Sequence, residues 1–275
     1  MASIEPHEEM IAVGGIKVHT LIGGRGDPLL VLHGAGGSRG WRRWMARLAQ
    51  RFTLYAPTHP GFGGSDAAEW MEGIGDLARF YLWFLDVAGL ARPHLLGHSI
   101  GGWTAAEMAV TAPRAIDRLV LVAAAGLKPE QGEILDIFYH TPSDLARMAV
   151  HDPATVPEWD ELFGRPPTPE QAESAVRNRE MAARLTWRPY MHDPRLAHFL
   201  PRAAMPTLIV WGREDRIVPV TCGEQYRRLM PHATLHVLDR CGHQPPLEQP
   251  DAFATLVGRF LSAPPADSFQ GGTAR

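Results

Sequence analysis

The pentapeptide Gly97-His98-Ser99-Ile100-Gly101 constrains this chain more than any other feature. The apolar run Pro93-His94-Leu95-Leu96 leads into it, and Gly102 to Val110 leads out with apolar residues at helical period. The segment therefore reads as a strand, a very tight turn and a helix, with Ser99 at the apex. A side chain at such an apex is forced into the open and its backbone needs φ > 0, so the positions two before and two after it must lack a Cβ. Glycine supplies 27 of the 275 residues, so the pentapeptide has weight only through its context. Taken alone, Ser99 equally suits the structural role of a helix N-cap.

The context is a set of matching strand ends. Pro206 to Gly212 reads as a buried strand that runs into Arg213-Glu214-Asp215, and Ala233 to Leu238 as another that precedes Cys241-Gly242-His243-Gln244-Pro245-Pro246. Serine, then acid, then histidine, each after its own strand, is an order in which three side chains can converge. Upstream, Leu29 to Leu32 leads into His33-Gly34-Ala35-Gly36-Gly37, and Pro60-Gly61-Phe62-Gly63-Gly64-Ser65 follows the strand Phe52 to Ala56. From about Ile11 to Leu261, these four motifs in register resemble the α/β-hydrolase fold, in particular its capped, esterase-like members.

The resemblance implies an α/β fold: a mostly parallel, eight-stranded sheet with helices on both faces and an inserted helical cap. The alternation of strands and helices over the first section agrees with a largely parallel sheet. After Gly126 that alternation stops, and helix-like pieces broken by Pro153, Pro157, Pro166, Pro167, Pro169, Pro189 and Pro194 follow. The expected division is core 1–126, cap 127–203, core 204–263 and a disordered tail 264–275. The cap is read as a lid over Ser99, with Trp187 as the ring expected to overhang the site.

The chemistry implied is nucleophilic. Ser99 needs a base within hydrogen-bond reach and a third group to orient that base. His243 fits the base, and Asp215, three residues after Gly212 as in the family, fits the orienter; Glu214 is its neighbouring rival. Some relatives place the acid after the sixth strand, where this chain has Ala123-Ala124-Ala125-Gly126 and no carboxylate. The oxyanion of acyl transfer calls for preorganised N–H donors, expected from Ile100 at the helix start and from Ala35, with Gly36 as the alternative. A phosphate-cradling role for the glycine-rich loop lacks its lysine. His151-Asp152-Pro153 and His192-Asp193-Pro194 look like metal-ligand pairs, but aspartate before proline favours a turn and no third ligand is evident. Neither a metal nor a cofactor is expected.

Composition narrows the setting. A net charge of −3 speaks against nucleic acid as a partner. Met1 to Met10 lacks the apolar centre of a secretory signal, and no stretch approaches the roughly 18 apolar residues of a membrane span. Cys222 and Cys241 form neither a disulfide framework nor a zinc pattern, and a cytoplasmic location is the expectation. Only Lys17 and Lys128 are lysine, and neither adjoins a motif, which argues against a Ser-Lys dyad.

The resemblance implies hydrolysis of a small carboxylic ester or lactone through an acyl-enzyme; homo-oligomerisation stays open. The alternative is carbon–carbon bond hydrolysis of ring-cleavage products, although such relatives carry asparagine before the nucleophile and tryptophan after the histidine, where this chain has His98 and Gln244. A perhydrolase or lyase on the same triad is a third reading. A ligand receptor with an intact triad is a reading of another class. Dehalogenase and epoxide-hydrolase relatives need aspartate in place of Ser99.

Overall fold

Leu29, Leu30, Val31 and Leu32 are buried without alternation, as a strand covered on both faces must be. The computed structural model describes residues 4–264, so the tail expected to be disordered lies, from 265 on, outside the described residues. Eight strands form one sheet: β1 (His7–Val13), β2 (Ile16–Gly24), β3 (Asp27–Leu32), β4 (Phe52–Pro57), β5 (His94–His98), β6 (Leu119–Val122), β7 (Thr207–Gly212) and β8 (Ala233–Leu238). Their order is β1-β2-β4-β3-β5-β6-β7-β8. β2 runs antiparallel to both neighbours and all other pairs are parallel.

The helices are α1 (Arg43–Leu48), α2 (Ile74–Val87), α3 (Ile100–Thr111), α4 (Pro142–Met148), α5 (Trp159–Phe163), α6 (Pro169–Thr186), α7 (Leu196–Phe199), α8 (Val220–Leu229), α9 (Pro245–Glu248) and α10 (Pro250–Leu261). One core layer joins α2, α3 and α8 to the sheet through Phe80, Phe84, Trp103, Cys222 and Tyr226. The opposite layer packs α1 and α10 through Trp44, Leu48, Phe253 and Val257. Because β3, β5, β7 and β8 are parallel, the loops at their C-terminal ends open on one edge of the sheet, where sites in such sheets form.

Between β6 and β7 the chain leaves the sheet and runs through α4 to α7. α6 is the one long helix here. Thr168 caps it in a reciprocal capping box with Gln171, and Pro169 occupies its first turn. No helix among the described residues is long and apolar enough to cross a membrane.

Candidate active site

Ser99 sits at φ 56° and ψ −118° between β5 and α3. The two glycines around it are sterically required. A Cβ on Gly97 would lie 2.2 Å from the Gly101 carbonyl oxygen, and one on Gly101 would lie 2.4 Å from the Leu32 carbonyl oxygen. Ser99 occupies the N-cap position of α3, yet its side chain makes no capping bond. Its Oγ instead meets His243 Nε2 at 3.0 Å.

His243 lies in the loop between β8 and α9. Its Nδ1 meets Asp215 Oδ2 at 2.8 Å, with both side chains almost wholly buried. The other carboxylate oxygen, Oδ1, accepts the Ile217 and Val218 amides at 2.8 and 3.0 Å, which fixes the carboxylate plane. Glu214 points elsewhere: its Oε2 accepts the Cys241 amide at 2.9 Å and braces the histidine loop. The structure thus brings Ser99, His243 and Asp215 together and leaves Glu214 outside.

A second carboxylate supports the same loop. Buried Glu248, in α9, accepts the Gly242, Gln244 and His151 amides at 2.9, 3.1 and 2.7 Å. The His243 amide itself donates to the Ala149 carbonyl at 2.8 Å, so the C-terminal end of α4 holds His243 from outside the sheet.

The loop after β3 lies against Ser99. A Cβ on Gly34 would stand 3.1 Å from Ser99 Cβ, and Gly37 closes a turn onto the Gly34 carbonyl at 3.0 Å. Ala35 and Gly36 are the two central residues of that turn. Among the described residues, the Ala35, Gly36 and Ile100 amides donate to no protein acceptor, so the choice between Ala35 and Gly36 stays open. Ile100 opens α3, where an unpaired N–H and the helix dipole favour negative charge.

Two stacked histidines, His33 and His59, hold this loop. His33 Nδ1 donates to the Gly34 carbonyl at 2.8 Å, and its Nε2 accepts the His59 amide at 2.9 Å. His59 Nε2 donates to the His33 carbonyl at 2.9 Å, and its Nδ1 accepts the Tyr81 hydroxyl at 2.6 Å. Each bond assigns one neutral tautomer. Burial pushes His33 down to about 4 and His59 well below the usual imidazole range. His98 is held at about 3, first by burial and then by His243 beside it.

Asn178, midway along α6, escapes sequence reading. It donates from Nδ2 to the Gly36 carbonyl at 3.1 Å and accepts the Gly63 amide at 2.8 Å, tying this helix to both loops. Its polar helical surroundings give no sign of that role. Trp187 is a correction. It is 51% exposed and lines a surface cleft with Trp103, Glu107 and Arg188, a cleft that reaches neither Ser99 nor His243. Nine residues beyond Asn178, it lies about 13 Å further along the helix axis. Asp152 and Asp193 are occupied locally, in a bond to the Ala154 amide and an ion pair with Arg195.

A family model for the alpha/beta hydrolase fold matches residues 27–250. The chain belongs to this family and is a hydrolase. It is 30% identical to a 2-hydroxy-6-oxononadienedioate/2-hydroxy-6-oxononatrienedioate hydrolase of a Pseudomonas species, over 90% of this chain and 92% of that one. A hydrolase of the same description from Burkholderia vietnamiensis is 32% identical over 90% and 91%. Among solved structures, a 2-hydroxy-6-oxo-6-phenylhexa-2,4-dienoate hydrolase from a Rhodococcus species superposes with TM-score 0.77 at 28% identity, covering 94% of this chain and all of that one. A bacterial membrane phospholipase A superposes with TM-score 0.73, also at 28% identity, over 94% and 86%.

Proposed function

We propose that this hydrolase cleaves a carbon–carbon bond beside a ketone in a small oxo-dienoate, with Ser99 as nucleophile, His243 as general base and acid, and Asp215 as the group that orients His243. The observation that carries the reading is the buried hydrogen-bonded series Ser99 Oγ, His243 Nε2, His243 Nδ1, Asp215 Oδ2, at 3.0 and 2.8 Å. The named relatives, carbon–carbon hydrolases along nearly their whole length, supply the bond type.

In this reading Ser99 Oγ adds to the ketone carbon while His243 Nε2 takes the hydroxyl proton. The Ile100 amide and that of Ala35, or of Gly36, receive the oxyanion. Collapse breaks the carbon–carbon bond, and the departing carbon takes the proton from His243. Water then frees Ser99, again with His243 as base. The segment 127–203 serves as a lid, supported by the bonds from Asn178 to Gly36 and Gly63 and from the His243 amide to Ala149.

Ester hydrolysis on the same three residues is the second reading. His98 and Gln244 favour it, standing where the ring-cleavage group carries asparagine and tryptophan, and so does the likeness to a phospholipase. Turnover of 2-hydroxy-6-oxo-6-phenylhexa-2,4-dienoate beside p-nitrophenyl esters of graded length decides between them. A kcat/KM for the dienoate well above that of every ester supports the first reading, and the reverse order supports the second. A Ser99→Ala variant that keeps either turnover, or keeps fluorophosphonate labelling, overturns both.

A further inference from the structure

Arg39 lies in the loop between β3 and α1, and its guanidinium folds back over that loop. Nη2 stands 3.4 Å from the point a Cβ on Gly36 would occupy. On its other side, the Arg39 Cζ lies 4.9 Å from the centre of the Phe163 ring at the end of α5. The guanidinium is thus held between the candidate oxyanion loop and the segment that follows β6.

Every other arginine of this stretch up to α1's last turn has an acidic partner. Arg42 pairs with Glu158 and Glu161, and both Arg43 and Arg47 pair with Asp251. Arg39 has none among the described residues, nor any hydrogen-bond acceptor, although it is partly buried. Burial, and then the nearby Arg42, bring it down to about 10. After burial, its charge also contributes to keeping His33 and His98 neutral. A partly desolvated cation without an anion is an unfavourable arrangement that a bound anion relieves.

We propose that Arg39 is the subsite for a carboxylate carried by the substrate. A single guanidinium backed by an aromatic face presents one planar edge of paired N–H donors, which matches a carboxylate. Gly34 lies against Ser99 and the Arg39 tip lies against Gly36, two residues further on in the same turn. Both contacts fall on one loop. A 6-oxo acid of the kind named for the relatives carries a carboxylate and the reacting ketone on one short chain. The inference rests on Ser99 being the nucleophile, but applies to ketone and ester substrates alike.

The test compares two p-nitrophenyl esters of equal length, the hydrogen glutarate half-ester and the neutral pentanoate. The quantity read is the ratio of their kcat/KM values, in which any general damage cancels. The wild type should favour the half-ester at low salt, and Arg39→Gln should lower the ratio by about tenfold or more, with Arg39→Lys between them. A ratio that Arg39→Gln leaves unchanged, or a wild type indifferent to the carboxylate, overturns the proposal. Calorimetric titration of glutarate into the Ser99→Ala variant gives an arm free of turnover: binding should be present there and lost when Arg39→Gln is added. If neither ester is turned over and no fluorophosphonate label forms, the reading of Ser99 fails while the glutarate titration still decides Arg39. If pentanoate is hydrolysed and glutarate does not bind, Arg39 falls and Ser99 stands.

Discussion

His98 Nε2 donates to the backbone carbonyl of His243 at 2.8 Å, so the residue before Ser99 fastens the loop that carries His243. The ring centres of the two histidines are 5.0 Å apart. The bond needs the proton on His98 Nε2, and burial keeps the ring neutral in that form at every pH above its pKa of about 3. Ser99 and His243 are 144 residues apart in sequence, and this contact sets one loop against the other directly.

Loss of that contact should act on geometry more than on substrate affinity. His98→Ala is expected to lower kcat by roughly tenfold to a hundredfold, the scale of a misplaced catalytic group, with KM changing far less. His98→Asn retains an N–H donor and should lose less. Steady-state kinetics on any accepted ester, together with the rate of fluorophosphonate labelling, read the effect; equal loss in both variants would reject the hydrogen bond as its source.

Asp215→Asn should lower kcat by about 10⁴ with the fold intact, because an amide can select the wrong imidazole tautomer and cannot balance an imidazolium. Glu214→Gln keeps an oxygen for the Cys241 amide and should change kcat only mildly. Parallel kinetics and melting temperatures on the two variants separate the carboxylates, and the reverse ranking would exchange their roles.

The sequence shows the sheet best where strands are buried on both faces. β3, β5, β6 and β7 read as apolar runs because no polar alternation interrupts them. β1 begins four residues earlier than its apolar part, since His7, Glu8, Glu9 and Met10 lie on an exposed edge strand where charge protects against further pairing. α8 is hard to read because Gly223 weakens its helical pattern; a Cβ there would meet the Trp211 ring at 2.7 Å, so glycine serves packing.

Ser99 and His243 are legible because each stands in a strand-and-turn signature, and Asp215 through its spacing from Gly212. Asn178, Glu248 and Arg39 are not. Their meaning comes from partners distant in sequence: Asn178 meets Gly36 across 142 residues, and Glu248 meets His151 across 97. Within their own segments they resemble ordinary surface residues. Trp187 errs in the opposite sense, because a bulky ring beside a proline says nothing about which side of α6 faces Ser99.

Acid should weaken the fold through the histidines packed around the Ser99 turn. His33, His59 and His98 are all held below the ordinary imidazole value of about 6.5, by desolvation first. Above about pH 6.5 both folded and unfolded states carry them neutral and they have no effect on stability. As pH falls below that, the unfolded chain takes up protons that the folded one refuses, so stability declines until the folded pKa values of about 4 for His33 and about 3 for His98 are reached. Urea unfolding between pH 7 and 4 measures the slope. His98→Asn should reduce it by about one proton at the acid end, and an unchanged slope would contradict a His98 held neutral in the folded state.

Asn178 offers the sharpest test of the link between α6 and the candidate oxyanion loop. Its amide is used on both sides, donating to the Gly36 carbonyl and accepting from Gly63. Gly37, at φ +86°, leaves room for it: a Cβ there would stand 2.2 Å from Asn178 Nδ2. Asn178→Ala removes both bonds, but Gly36 is exposed and Gly63 partly so, and water can satisfy the freed groups. The stability loss should therefore sit near the low end of the roughly 1–3 kcal/mol for an abandoned polar partner. Asn178→Asp keeps an acceptor for the Gly63 amide but turns a carboxylate oxygen toward the Gly36 carbonyl, which pushes the loop away. If this link positions the loop, Asp should lower kcat/KM more than Ala does, even though Asp preserves more of the original shape. Melting temperatures measured beside kinetics make the distinction, and equal activity in the two variants would reduce Asn178 to a packing residue.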